Sequence, residues 1–281
     1  MQEVIFLWAL ALVWIVFAVF QDLKTREIAN WLNFSLVIFA LAFRFFYSLF
    51  YNDGFSFFYN GLIGLAVFFM IGNLLYYGKM FAGGDAKLMI ALGAILPVSL
   101  DILSNLKNFL IFFLIFLLVG SFYTLATSSF FCLKNFDSFK KEFSKKLKEK
   151  KRLICVVIFI GLVLICLGFI HFLFLFLGIS TFIMVYLYLY AKAVDEACMI
   201  KSTNTKKLTE GDWLYKDLII GTKTIRANWD GLTKQNIRDI KKKFKTVRVR
   251  QGIPFTPVFL LSFIVFVVVN ILKIDLWNSF W

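Results

Sequence analysis

Phe81-Ala82-Gly83-Gly84-Asp85-Ala86-Lys87 is the stretch that decides how this chain is built. It places a carboxylate beside two glycines and between two apolar runs, Phe57 to Tyr77 before it and Leu88 to Leu100 after it. A second carboxylate, Asp22, closes the first apolar run in much the same way. Ionisable groups at membrane depth are costly and mark function. Two that meet in space suggest a pair sharing one proton.

Composition sets the environment. Of 281 residues, 60% are hydrophobic and 19% aromatic, and several apolar runs exceed the roughly 18–20 residues that cross a hydrocarbon core of about 30 Å. The expected fold is an all-α polytopic membrane protein with a small cytoplasmic α+β domain before the last helix. Only Met1-Gln2-Glu3 precedes the first apolar run, with no Lys or Arg, so that run is expected to be a retained span rather than a cleaved signal. Apolar runs fall at 4–20, 31–51, 57–77, 86–104, 107–131, 153–191 and 255–273. As one helix, 153–191 would be about 58 Å long, nearly two membrane thicknesses. A hairpin turning between Gly168 and Gly178 resolves this and brings the count to about eight transmembrane helices, six or seven being the alternatives. The expected segments are 1–131 with both aspartates, a basic cytoplasmic amphipathic stretch 132–152, the hairpin 153–191, a small cytoplasmic domain 192–252, and the last span within 253–281.

The net charge of +14 raises nucleic acid as a partner, but its distribution argues otherwise. Segments 21–30, 78–87, 133–152 and 192–250 hold 28 of the 31 Lys and Arg residues. Loops rich in Lys and Arg stay cytoplasmic, so all four belong on one side, facing anionic headgroups. No nucleic-acid partner is expected; membrane lipids are. Arg44, toward the outer end of the second run, is expected to snorkel to the outer headgroups. His171 lies in an apolar stretch and is not expected to do chemistry. The four cysteines lack ligand-type spacing, and neither a metal site nor a disulfide framework is suggested. Lys134 to Arg152 forms a basic helix with a thin apolar stripe, Phe136, Phe139 and Phe143, suited to a membrane surface. Within 192–250, turns are expected at Glu210-Gly211-Asp212 and Trp229-Asp230-Gly231, a helix over Leu232–Phe244 capped by Thr233, and a strand over Lys245–Arg250. Pro254 and Pro257 sit at the mouth of the last span, as at a helix start.

With the first span running outside to inside, Asp22 and Asp85 fall at the same inner depth. Asp85 lies in the first turn of the fourth span, where helix N–H groups favour negative charge; Asp22 sits at a helix C-terminal end, in the opposite field. Within hydrogen-bond distance the two do not ionise together easily. One then acts as general base on a water while its protonated partner polarises a scissile carbonyl, the chemistry of aspartic proteolysis. Which is which stays open, since a coupled pair titrates as a unit. Gly83 and Gly84 would let an extended peptide approach, and Lys87 would anchor to headgroups or bias the pair.

Gln21-Asp22-Leu23-Lys24-Thr25-Arg26-Glu27-Ile28-Ala29-Asn30 resembles the stretch after the first catalytic aspartate of prepilin peptidases. Ala82-Gly83-Gly84-Asp85-Ala86-Lys87 resembles the second signature, GxGDxK, of the same GxGD membrane aspartyl proteases. The stretch from Glu210-Gly211-Asp212 through Gly231-Leu232-Thr233 to Gly252-Ile253-Pro254-Phe255 resembles the archaeal prepilin and preflagellin branch. Ala82 stands where the first Gly of GxGD is expected, and Ala29 where bacterial members carry Pro. The resemblance implies catalytic Asp22 and Asp85, supported by Gly83, Gly84 and Lys87. It implies no cofactor, and substrates of the prepilin or preflagellin type, cut at the cytoplasmic side of the plasma membrane between a basic leader and an apolar helix. The 192–250 segment, 15 basic against 7 acidic residues, would repel such a leader, so leader recognition is expected elsewhere. A different class of function, a transporter or proton pathway with Asp22 and Asp85 as relay carboxylates, predicts internal repeats and acids near the bilayer centre. No repeat is evident, and both acids fall at span ends.

Overall fold

Apolar runs without a polar backbone partner must satisfy their own N–H and C=O groups, and helices do so. The computed structural model describes residues 2–51, 54–220, 223–228 and 231–274. Five helices in it are long and apolar enough to cross a membrane: α1 (Gln2–Thr25), α2 (Asn30–Tyr51), α3 (Ser56–Tyr77), α5 (Ile102–Lys134) and α8 (Phe172–Cys198). Shorter helices join them: α4 (Gly83–Gly93), α7 (Lys151–Leu167) and the apolar α10 (Thr256–Ile271). The chain is thus a multi-pass membrane protein, with a small strand-containing region before its last helix.

The 86–104 run departs from expectation. Helix α4 stops at Gly93 after 11 residues, about 16 Å of rise, and 94–101 is irregular before α5 begins. Pro97 has no N–H to continue a helix. The carbonyls this break exposes are met by Arg44, which corrects the snorkelling expectation. Arg44 is fully buried. Its Nε donates to Ala94 O (2.8 Å), Nη1 to Phe57 O (3.0 Å), and Nη2 to Ile95 O (3.2 Å) and Pro97 O (2.6 Å). The guanidinium also lies 4.2 Å from the centre of the Phe57 ring. Unserved carbonyls in an apolar interior need donors, and a guanidinium offers five. On the other side of the break, Asn105 Oδ1 accepts from the N–H groups of Val98 and Ser99, both at 3.0 Å.

The chain divides into two compact units. The first comprises 1–124 and 254–281. Its core runs through Leu7, Ile15, Leu36, Phe68, Leu92 and Phe112 to Phe259 and Phe263. Helices α3 and α4 approach so closely that a side chain on Gly64 would strike the Gly93 carbonyl, and one on Gly93 the Gly64 carbonyl. Helix α10 packs along α1.

The second unit, 125–253, holds the hairpin of α7 and α8, which turns at 168–171, inside the expected window. His171 therefore lies in a turn rather than within a span. It caps α8, Nδ1 accepting from the Leu173 N–H at 3.2 Å. The basic helix α6 (Phe136–Glu149) stacks Phe139 on Phe143 and sets Phe139 edge-on to Tyr190 of α8, so part of its apolar stripe meets protein. The strands β1 (Ile200–Asn204), β2 (Trp213–Leu214) and β5 (Thr246–Arg250) form an antiparallel sheet in the order β1-β5-β2. A separate ribbon pairs β3 (Leu218–Ile220) with β4 (Lys223–Ile225). Strand β5 buries Val247 and Val249, as its alternation predicts. Helix α9 (Lys234–Lys243) starts at the expected cap, Thr233 accepting from the Asn236 N–H. Gly211 and Gly231 take positive φ, 93° and 74°, at the two expected turns; Trp229 and Asp230 lie outside the described residues.

Candidate active site

Asp22 lies in the last turn of α1, nearly buried at 8% exposure. Asp85 lies in the first turn of α4, as expected. The turn into α4 is shaped by Ala82, which caps the helix in an extended conformation (φ −70°, ψ 159°). An L-residue adopts that freely, so alanine serves where the GxGD signature it resembles has glycine.

Asp22 is held by a residue the sequence did not single out. Helix α10 begins at Thr256, with Pro257 in its first turn. The opening N–H groups of a helix have no partner within it. The Thr256 N–H donates to Asp22 Oδ2 at 3.2 Å, and the Thr256 hydroxyl donates to the same oxygen at 2.7 Å. Thr256 is fully buried. The expected contrast of helix fields is therefore lost: both carboxylates face a helix N-terminus. Tyr123 of α5 steadies the approach to α10, its hydroxyl donating to Pro254 O at 3.0 Å.

The two sequence motifs also interlock. Lys87 Nζ donates to Asn30 Oδ1 at 2.6 Å, so it is tied to the first turn of α2 rather than to headgroups. Asn33 Nδ2 makes a long bond of 3.4 Å to Gly84 O, and Asn33 Oδ1, buried, has no hydrogen-bond partner among the described residues. The face of Gly84 is taken by Ile28: a Cβ there would sit 3.2 Å from Ile28 Cβ. Gly83 is freer, with only Tyr76 near at 3.7 Å. The Ala29 N–H donates to Gln21 Oε1 at 2.9 Å, a bond that proline at this position would forbid. Phe81 wedges among Phe116, Phe255 and Phe259, with ring centres 5.7–6.0 Å apart, holding the loop before Asp85 against α5 and α10. The structure thus gathers Asp22, Asp85, Gly84 and Lys87 with Asn30, Asn33 and Thr256. Asn30 stood within a quoted motif, but nothing in a linear pattern ties it to a lysine more than 50 positions on. Among the described residues no three His, Cys, Asp or Glu side chains group as a metal site.

Residues 9–125 match the type IV leader peptidase family. This stretch holds both aspartates and the Lys87–Asn30 and Asn33–Gly84 ties, while Phe255, Thr256 and Phe259 lie beyond it. The chain is also similar to the preflagellin peptidase of Methanococcus maripaludis (strain C6 / ATCC BAA-1332), at 30% identity over 83 residues. That match covers 30% of this chain and 35% of the relative's own length, about a third of each. No solved structure matches. Both similarities bear out the resemblance to prepilin and preflagellin peptidases.

Proposed function

We propose that this protein is an aspartic-type endopeptidase that removes the basic leader from prepilin-like or preflagellin-like precursors at the cytoplasmic face of the membrane. The observation that carries it is the interlock of the two aspartate-bearing segments, Gly84 against Ile28 and Lys87 tied to Asn30, with Asp22 held by the buried Thr256. Two carboxylates with one proton between them can do both halves of peptide hydrolysis. The ionised member takes a proton from water as the water oxygen bonds to the scissile carbonyl carbon. The protonated member gives its proton to the carbonyl oxygen. The resulting diol collapses, the C–N bond breaks, the first aspartate passes its proton to the leaving amine, and a diol proton returns to the second. No group beyond the pair and water takes part.

In this assignment 132–152 and 192–252 are cytoplasmic, their Lys and Arg set against anionic headgroups, and 1–131 forms the catalytic span region. The test is cleavage of a prepilin-like precursor by the protein in membranes, comparing wild type with Asp22→Asn and Asp85→Asn. The expected result is a size shift with wild type alone, the product's new N-terminus lying at the leader junction. Equal cleavage by both variants would refute the dyad. Absence of cleavage across several precursors, with ion flux that depends on either aspartate, would favour a relay function.

A further inference from the structure

We infer that Thr256 is a positioning residue that divides the work between the two aspartates, an inference resting on the dyad proposed above. Two observations support it. Thr256 is fully buried at the first position of α10, and it gives Asp22 Oδ2 two hydrogen bonds, one from its N–H and one from its hydroxyl. The N–H can only donate, so Oδ2 is held as an acceptor. Oδ1 is the oxygen of Asp22 that Thr256 leaves unbonded. A hydroxyl carries a single hydrogen, and here it points at Asp22. Two donors on one oxygen favour the ionised form of Asp22, so the proton of the pair rests on Asp85. Asp22 is then the base that takes the proton from water, and Asp85 the acid that gives one to the carbonyl oxygen. The hydrolysis balances as written above, with Thr256 gaining and losing nothing.

A valine at 256 keeps the shape and the N–H bond but deletes the hydroxyl; a serine keeps the hydroxyl. The full chain, purified into lipid nanodiscs, is assayed on a prepilin-like precursor as wild type, Thr256→Val, Thr256→Ser, Asp22→Asn and Asp85→Asn. Losing one hydrogen bond to a charged group, here one that also orients the base, is expected to lower kcat about 10- to 100-fold in Thr256→Val with KM within about twofold. Thr256→Ser is expected within about threefold of wild type, since it restores the donor. A residue that merely packed would not be rescued by the smaller serine and would not separate kcat from KM. If Thr256→Val does not fold, Thr256→Cys, whose thiol is a weak donor, replaces it, with kcat expected between those of wild type and the aspartate variants. Wild-type kcat in Thr256→Val, or equal impairment in the valine and serine variants, overturns the inference while leaving the dyad standing. Full activity in Asp22→Asn and Asp85→Asn instead removes the dyad, and this assignment with it.

Discussion

Replacing Arg44 with methionine is expected to destabilise the protein by about 3–5 kcal/mol, the usual cost of breaking a buried charged network by removing one partner. The number follows from the bonds. Arg44 serves four carbonyls, and three of these, Ala94, Ile95 and Pro97, belong to the irregular link after α4. A buried carbonyl stripped of its donor costs about 1–3 kcal/mol, so three cost about 3–9. Against this stands the relief of no longer holding a guanidinium away from water, which offsets part of the total. The Phe57 ring contact at 4.2 Å, a cation–π interaction of about 0.5–2 kcal/mol, is lost as well. Arg44→Lys keeps a charge and three donors but not the planar fork, and is expected to fall between wild type and Arg44→Met. The assay is reversible unfolding in mixed micelles of increasing SDS fraction, followed by tryptophan fluorescence. Gly61 supplies an independent check: a Cβ there would press on Arg44 Cδ. Gly61→Ala should therefore cost less in the Arg44→Met background than alone, a coupling that a double-mutant cycle measures. A loss under about 1 kcal/mol in Arg44→Met, or additive effects of the two substitutions, would refute the claim that Arg44 holds this link together. Cleavage should fall in parallel, because Arg44 grips the residues leaving α4 at one end while α4 carries Asp85 at the other.

Gly93→Ala places a methyl against the Gly64 carbonyl and Phe68, where neither backbone yields, and should cost about 1–3 kcal/mol in the same unfolding assay. Lys87→Met removes the tie to Asn30 at a partly exposed position; cleavage should drop while stability changes by under about 1 kcal/mol. In the second unit, the bond from Lys223 Nζ to Asp239 Oδ2 at 2.8 Å holds the Asp239 carboxyl below its ordinary range. A depressed acid stabilises the folded state above the ordinary carboxylate range and loses that contribution as pH falls through its lower folded value. Carbon-detected NMR titration should find Asp239 below the usual carboxylate midpoint, and Lys223→Met should return it.

What could be read from the sequence and what could not divide along one physical line. Helix positions in this chain follow from local pattern: apolar runs, the Thr233 cap, the Val247 and Val249 alternation, and Pro257 at the start of α10 each declare themselves within a few residues. The two aspartates were also legible, because a carboxylate next to an apolar run is conspicuous whatever it contacts. Arg44 was equally conspicuous and was misassigned, since its burial depends on a break after Gly93 that the apolar run 86–104 conceals. Hydropathy registers side chains and is blind to carbonyls without donors; the break becomes visible only when the backbone bonds are followed through Ala94, Ile95 and Pro97. Thr256 was hidden for the opposite reason. A threonine at a helix start has a sufficient local explanation, and nothing near it in sequence indicates that its hydroxyl is spent on Asp22, 234 positions away. The residues that local pattern misses here are those whose hydrogen bonds leave their own element. In this chain these residues bind the link that leaves α4 and one carboxylate oxygen of Asp22.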